Sequence, residues 1–164
     1  MSNSVSADII QKMRATLVLS DVPGVGTSVP IDISQFDRRI ALSATTTPAI
    51  SLIGWDEHTL AGATELIDLT TLPFLDTETV DGTGLKVQAA YFRCPSTNAA
   101  AVTIDVTGAN PIDAFGSAFS ITLPPDGSQI IYSPEGGSDI SGTVKSIEFN
   151  GTAADKIQYV ILMG

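Results

Sequence analysis

Short runs in which apolar and polar residues alternate recur along the chain, separated by turn residues. The clearest examples are Leu85–Phe92, Ala101–Thr107 and Ile157–Met163. Alternation with a period of two is the pattern of a strand that buries one face. We therefore expect four side chains of the last run on one buried face: Ile157, Tyr159, Ile161 and Met163. The same rule places Val102, Ile104 and Val106 inward, and puts Leu85, Val87, Ala89 and Tyr91 on one face.

Further short runs rich in β-forming residues lie in the first half of the chain. They are Ala15–Ser20, Val29–Ser34, Arg39–Ser43, Ala49–Ile53 and Glu65–Thr70. No segment shows a long 3.6-residue period, and no exact internal repeat is present. Many short alternating strands with regular turns predict an all-β fold, a single antiparallel β-sandwich or jelly-roll-like domain.

Two turn signals predict local connections. Phe119–Leu123 and Gln129–Tyr132 flank Pro124–Ser128, and two apolar runs around a Pro/Asp/Gly loop predict a β-hairpin. Asn150-Gly151 follows the run Ser146–Phe149. Because Asn-Gly favours positive φ, we expect a type I′ turn there rather than a glycosylation site.

The N-terminal residues differ from the rest of the chain. Ala7–Arg14 predicts either a short helical turn, with Ile9, Ile10 and Met13 on one side, or an extended arm. The chain then divides into an N-terminal arm, residues 1–14, and a single β-sandwich domain, residues 15–164. The acidic, glycine-rich stretch Asp76–Gly84 is not a domain boundary, because each half alone would have a marginal core.

Charge excludes some partners. The chain has 164 residues, 16% of them charged, and a formal net charge of -10. Nucleic acid and anionic membrane surfaces both require Lys and Arg, so neither is an expected partner. No apolar run approaches the length of about 18 residues that spans a membrane, and no signal-peptide pattern begins the sequence. We expect a protein made in the cytoplasm.

The sequence contains no recognisable set of catalytic residues. His58 is the single histidine and Cys94 the single cysteine. No serine lies in a nucleophile-elbow context, and one histidine with one distant cysteine cannot form a zinc site. We expect His58 to be an exposed histidine without a catalytic role, Cys94 to be a buried residue at a strand end, and the protein to be no enzyme and to need no cofactor.

Two groups of residues are candidates for binding. Asp76, Glu78 and Asp81 could hold a calcium ion, although the closing glutamate of an EF-hand loop is missing and a solvated acidic loop is the favoured interpretation. Trp55, Asp56 and Glu57 combine an aromatic ring with carboxylates. That combination is typical of a ligand- or carbohydrate-binding site.

Several stretches of the C-terminal half are together similar to small virion structural proteins of tailed phages and prophages. They are Gly84–Ala99, Val102–Ile104, Asp113–Gly127 and Ile157–Gly164. The resemblance implies a β-sandwich that decorates the capsid or joins head to tail, and a final location in the virion. It also implies a homo-oligomer of three or more copies that contacts other virion proteins. It carries no site residues over to this chain.

The main hypothesis is therefore a non-enzymatic structural protein that acts through protein–protein contacts. Ile9, Ile10 and Met13 of the arm are the expected assembly residues. The alternative is a ligand- or carbohydrate-binding β-sandwich module. A hydrolase using two carboxylates ranks third, because any acidic chain supplies such pairs.

Overall fold

The computed structural model describes residues 6–11, 15–17, 29–31, 38–74 and 78–164. Within these ranges every regular element is a β-strand, and all strand pairings are antiparallel. The all-β prediction is confirmed. Two four-stranded sheets pack face to face as a sandwich, and the other six described strands form three two-stranded ribbons.

We call the two sheets of the sandwich the front sheet and the back sheet. The front sheet has the order β12-β9-β14-β5, formed by Ser128–Tyr132, Val87–Arg93, Lys156–Met163 and Leu52–Thr59. The back sheet has the order β11-β10-β13-β6, formed by Ser120–Leu123, Val102–Asp105, Ser146–Asn150 and Thr64–Asp68.

The pairing within the two sheets is nested. The first of these eight strands, β5, pairs with the last, β14, and the second, β6, pairs with the last but one, β13. Strand β9 pairs with β12, and the middle strands β10 and β11 pair with each other. The chain therefore folds as one long antiparallel double strand that is wrapped into two layers.

The core lies between the sheets and is built from the inward faces of their strands. The alternation predicted for β14 is confirmed, since Ile157, Tyr159, Ile161 and Met163 are all buried. The inward set of β10 is confirmed as well: Val102, Ile104 and Val106. Aromatic rings fill the centre, with Phe149 contacting both Phe92 and Tyr159 edge-on or tilted. Cys94 is fully buried at the end of β9, as expected.

A ribbon of β1 (Ser6–Gln11) and β4 (Arg38–Ser43) covers part of the outer face of the front sheet. Ile9 and Leu42 of this ribbon pack against Ala89 and Leu162 in a second, smaller core. The helical alternative for residues 7–11 is wrong, and this segment is extended. Pairing with β4 supplies the backbone hydrogen bonds that a helix would have supplied internally.

The described residues include two further two-stranded ribbons. Strands β2 (Ala15–Leu17) and β3 (Val29–Ile31) pair with each other. Strands β7 (Leu72–Phe74) and β8 (Glu78–Val80) pair beside β5. Leu72 is fully buried there against Gly54, whose missing side chain leaves the room.

Three local predictions are wrong. Strands β11 and β12 are not a hairpin, because the connection between them crosses from the back sheet to the front sheet. Asn150 and Gly151 do not have positive φ, so the predicted type I′ turn is absent there. In the connection between β13 and β14 the residue with positive φ is Ala154, and this connection also crosses from the back sheet to the front sheet. Val87 does not share a face with Ala89 and Tyr91, because the register of β9 against β14 shifts beside it.

Candidate binding face of the front sheet

The outer face of the front sheet presents a row of apolar side chains beside the β1–β4 ribbon. Trp55 on β5 lies opposite Val160 on β14, which lies opposite Tyr91 on β9, which lies opposite Ile130 on β12. Residues that are directly opposite each other on neighbouring strands have their side chains on the same face of the sheet. All four side chains therefore point to the outer face. Trp55 has 45% of its surface exposed.

A row of polar residues runs parallel to this apolar row and is displaced from it by two residues on each strand. Its members are Glu57, Gln158, Arg93 and Ser128. Lys156 Nζ donates to Glu57 Oε1 at 2.6 Å, and Gln158 Nε2 donates to Glu57 Oε2 at 2.7 Å. These two hydrogen bonds lower the pKa of Glu57 below its ordinary value. The carboxylate is thus held ionised and in a fixed orientation.

The apolar row and the ribbon together border a groove. One depression of about 340 Å³ is lined by Trp55, Glu57, Tyr91 and Gln158, among others. A second, of about 280 Å³, lies between β1 and the sheet, and its walls are almost wholly apolar. Both are lined by Tyr91 and Val160. The two depressions are therefore neighbouring parts of one groove, with the sheet as its floor.

The predicted group Trp55, Asp56 and Glu57 divides between two environments. All three residues border the larger depression, but alternation along β5 places Trp55 and Glu57 outward and Asp56 on the opposite side. Sequence reasoning missed Tyr91 and Gln158, because they join the group across strands. The alternating pattern of β9 and β14 could be read from the sequence. The pairing that places these strands beside β5 could not.

His58 lies beside two carboxylates rather than alone at the surface. Its Nε2 is hydrogen-bonded to Glu65, and its Nδ1 is 3.8 Å from Asp56 Oδ2. About a quarter of the imidazole surface is exposed, and the ring lies against Phe149. The expectation of an exposed histidine is wrong. Among the described residues no serine, threonine or cysteine side chain bonds to His58, and the imidazole links β5 to β6.

The pKa of Glu65 is lowered by its hydrogen bond with His58 and by the backbone N–H of Ala61, which donates to Oε1 at 2.5 Å. Tyr159 lies further inside, opposite Asp56 in the strand pairing. Among the described residues its buried hydroxyl has no hydrogen-bond partner, and burial raises its pKa. These groups form a polar seam at the flank where β5 and β6 meet.

The candidate calcium ligands are only partly within the described residues. Asp76 lies outside them. Glu78 is exposed on β8, and the Asp81 carboxylate accepts hydrogen bonds from the Thr83 N–H at 2.9 Å and hydroxyl at 2.6 Å. Asp81 therefore stabilises its own turn. In the ranges that the structure describes, no group of three or more His, Cys, Asp or Glu could hold a metal ion.

The expected assembly residues also have different environments. Ile9 is buried beneath the ribbon, whereas Ile10 is 61% exposed on its outer side. Met13 lies outside the described residues. Of Ile9 and Ile10, the two assembly candidates that the structure describes, only Ile10 is accessible to another molecule.

The chain was compared with models of protein families, with characterised proteins and with solved structures, and nothing matched in any of the three comparisons. Among the described residues there is also no helix with the length and apolar character needed to cross a membrane.

Proposed function

We propose that this chain is a non-enzymatic structural subunit that assembles with copies of itself through the outer edge of β12, the strand at one end of the front sheet. The observation that carries the proposal is an uncharged sheet edge on a strongly acidic protein. The five residues of β12, Ser128–Tyr132, include no charged side chain, while the chain has a net charge of -10.

The two flanks of the sandwich differ in charge. One is formed by β5 and β6, which carry the acidic residues Asp56, Glu57, Glu65 and Asp68. The opposite flank is formed by β11 and β12, which carry none. Exposed strand edges are templates for further pairing, and proteins that avoid pairing place charges on them. Two acidic copies repel each other least where their uncharged flanks approach.

The backbone of β12 has groups directed outward for such pairing. Gly127 C=O accepts from the Cys94 N–H, and the Ser133 N–H donates to Gln88 C=O, so both residues face β9. Since strand residues alternate, Ser128 and Ile130 face away from β9. The Gln129 side-chain amide donates to the outward Ile130 carbonyl at 2.8 Å. This amide takes the place that a partner strand's N–H would occupy.

We infer that two copies pair β12 with β12 in antiparallel orientation across a two-fold axis. Such an interface is self-complementary, since each copy offers the same strand. The exposed Ile10 of the β1–β4 ribbon offers a second contact through which pairs would extend to assemblies of three or more copies. Strand addition at an edge needs no cofactor and no catalytic group.

The finer identity that we propose is a virion component of the tailed-phage kind, a capsid decoration or head–tail piece that also contacts other virion proteins. The nested strand order supports the jelly-roll form of the sandwich, which occurs in viral capsid and lectin domains. A shared fold does not by itself define a function. The resemblance of the C-terminal half to such virion proteins is the reason for proposing this class of protein.

The test is the native mass of the full chain, measured by light scattering, for the parent protein and two matched proline variants. Ser128→Pro places proline at the first residue of β12, where the amide faces outward. Ser120→Pro does the same on β11, where Phe119 C=O accepts from Val106 and Ser120 therefore faces away from β10. Proline is tolerated at such edge positions because no hydrogen bond within the sheet is lost.

We expect the parent chain and Ser120→Pro to be oligomers and Ser128→Pro to have a lower native mass, with circular dichroism showing that all three are folded. A monomeric parent chain would contradict self-assembly. An oligomer that survives Ser128→Pro unchanged would contradict the β12 contact.

A further inference from the structure

We propose that the groove on the outer face of the front sheet binds a neutral saccharide, with Trp55 and Tyr91 as stacking surfaces and Glu57 and Gln158 as hydrogen-bonding groups. The proposal is independent of self-assembly through β12, because it uses the face of the sheet rather than its edge. Its starting point is the exposed indole of Trp55, the single tryptophan of the chain.

The apolar part of the groove suits the C–H faces of sugar rings. Trp55 and Tyr91 lie in one row and are separated by Val160 on the strand between them. Neighbouring strands are about 4.8 Å apart, so the two aromatic residues are roughly 10 Å apart along the row. That distance is comparable to the length of a disaccharide. Aromatic rings have an apolar face and, in Tyr and Trp, a polar group that can bond a hydroxyl.

The polar row beside them suits hydroxyl groups. The carboxylate of Glu57 is fixed by Lys156 and Gln158, and it keeps acceptor positions beyond these two bonds. Gln158 uses its amide N–H₂ on Glu57, which leaves its carbonyl oxygen as an acceptor. Hydroxyls donate to such fixed acceptors. A pocket with an apolar floor and a few oriented polar groups is the general form of a small-ligand site.

The charges of the groove favour a neutral ligand over an ionic one. Glu57 is paired with Lys156, and Arg93 is paired with Asp126 at 2.9 Å. On the ribbon side, Asp8 is paired with Arg39 at 2.8 Å. Asp56, which also lines the larger depression, points to the other side of β5 beside His58. Each of the other charged side chains named here has a partner of opposite sign. A phosphate, a sulfated sugar or a cation would find no unpaired charge in this set.

The width of the groove disfavours a helical partner. The β1–β4 ribbon covers the sheet on one side, and the polar row begins two residues away along each strand. The apolar strip between them is one row wide, which corresponds to about 7 Å along the strands. An α-helix has a diameter of about 10 Å or more with its side chains. A pyranose ring lying flat on the aromatic side chains needs less room.

The single tryptophan makes the site observable without a label. The experiment is a fluorescence titration of the full chain with maltohexaose, cellohexaose, mannohexaose and chitohexaose at millimolar concentration, repeated in high salt. We expect at least one of these oligosaccharides to shift the emission of Trp55 to shorter wavelength and to saturate. High salt should leave the affinity unchanged, because the interaction involves no net charge.

Variants test the named residues by isothermal titration calorimetry with the oligosaccharide that binds. Tyr91→Ala and Trp55→Ala should each lower the affinity at least about tenfold, which corresponds to about 1.4 kcal/mol. Leu66→Ala is the matched control, because Leu66 is a similarly exposed apolar residue at 46% on the back sheet. It should bind like the parent chain.

Three results would overturn the proposal. One is the absence of any saturable shift with the four oligosaccharides. Another is an affinity that Trp55→Ala and Tyr91→Ala leave unchanged. The third is a drop in native mass caused by Trp55→Ala, since this face would then be a contact between copies of the chain.

Discussion

Gly54 on β5 should be intolerant of even one added methyl group. A Cβ at this position would lie 2.6 Å from Leu72 Cδ1 and 3.0 Å from Leu72 Cβ. Leu72 is fully buried, so it has no open space into which it can turn. Overpacking of this kind costs about 1–3 kcal/mol. We expect Gly54→Ala to reduce the free energy of unfolding by about 2 kcal/mol and to lower the Tm by roughly 4–8 °C.

A double-mutant cycle with Leu72 identifies the cause. Leu72→Ala alone should cost about 2–5 kcal/mol through the cavity that it leaves. In that background the closest clash of Gly54→Ala is removed and the added methyl fills part of the cavity. The second substitution should then cost less than about 0.5 kcal/mol, giving a coupling energy of 1 kcal/mol or more, as a rough estimate.

The assay is urea unfolding followed by circular dichroism, with Gly62→Ala as the control. A Cβ at Gly62 would meet no atom within 4 Å, so this variant should stay within about 0.5 kcal/mol of the parent chain or be slightly more stable. Strictly additive effects of Gly54→Ala and Leu72→Ala would refute the packing of β7 against β5.

Three further predictions concern other parts of the sandwich. The lowered pKa of Glu65 stabilises the fold above the ordinary glutamate pKa, and this stability is lost as pH falls through the lower folded value. Between about pH 5 and about pH 3, Glu65→Gln should therefore lose less stability in urea titrations than the parent chain. Asn98→Ala should cost about 2–3 kcal/mol in the same assay, because the Asn98 side chain donates to Lys156 C=O at 2.7 Å and accepts from the Lys156 N–H at 2.9 Å. Cys94, fully buried, should react with a thiol reagent only as fast as the chain unfolds; rapid labelling in the absence of urea would contradict its position.

Alternation predicted the strands of the C-terminal half well, because the physical rule is local. A strand in a sandwich buries every second residue, and β14 does so from Ile157 to Met163. The same rule could not place Trp55–His58 in a strand, because Asp56, Glu57 and His58 interrupt any apolar pattern. Their polar side chains are accommodated at the edge of the front sheet, where solvent and partners from β6 are close.

Pairing between strands was the part that the sequence could not provide. The Pro124–Gly127 turn has the residues of a hairpin, yet it joins β11 in the back sheet to β12 in the front sheet. Whether a short turn closes a hairpin or crosses between layers depends on where the flanking strands find their partners. Those partners, β10 and β9, lie earlier in the chain.

The candidate binding face shows the same limit. Trp55 and Glu57 were identifiable as an aromatic residue near a carboxylate, but Tyr91 and Gln158 join them only through the register of three strands. Asp56, adjacent in sequence, lies on the other side of β5 beside His58. Adjacency along a strand separates side chains, and adjacency across strands brings them together.

Nested pairing favours formation of the sandwich from the middle strands outward. The loop closed by β10 and β11 spans residues 106–119, whereas β5 and β14 enclose residues 60–155. Closing the longer loop directly, which is about sevenfold longer, costs roughly 1.7 kcal/mol more in chain entropy. Folding from the middle pair outward avoids this cost, so β14 should join last. In the front sheet β14 lies between β5 and β9. In a nascent chain that has not yet produced Lys156–Met163, β5 and β9 therefore lack the strand with which both of them pair. We therefore expect the front sheet to be completed on the ribosome only after β14 has been synthesised.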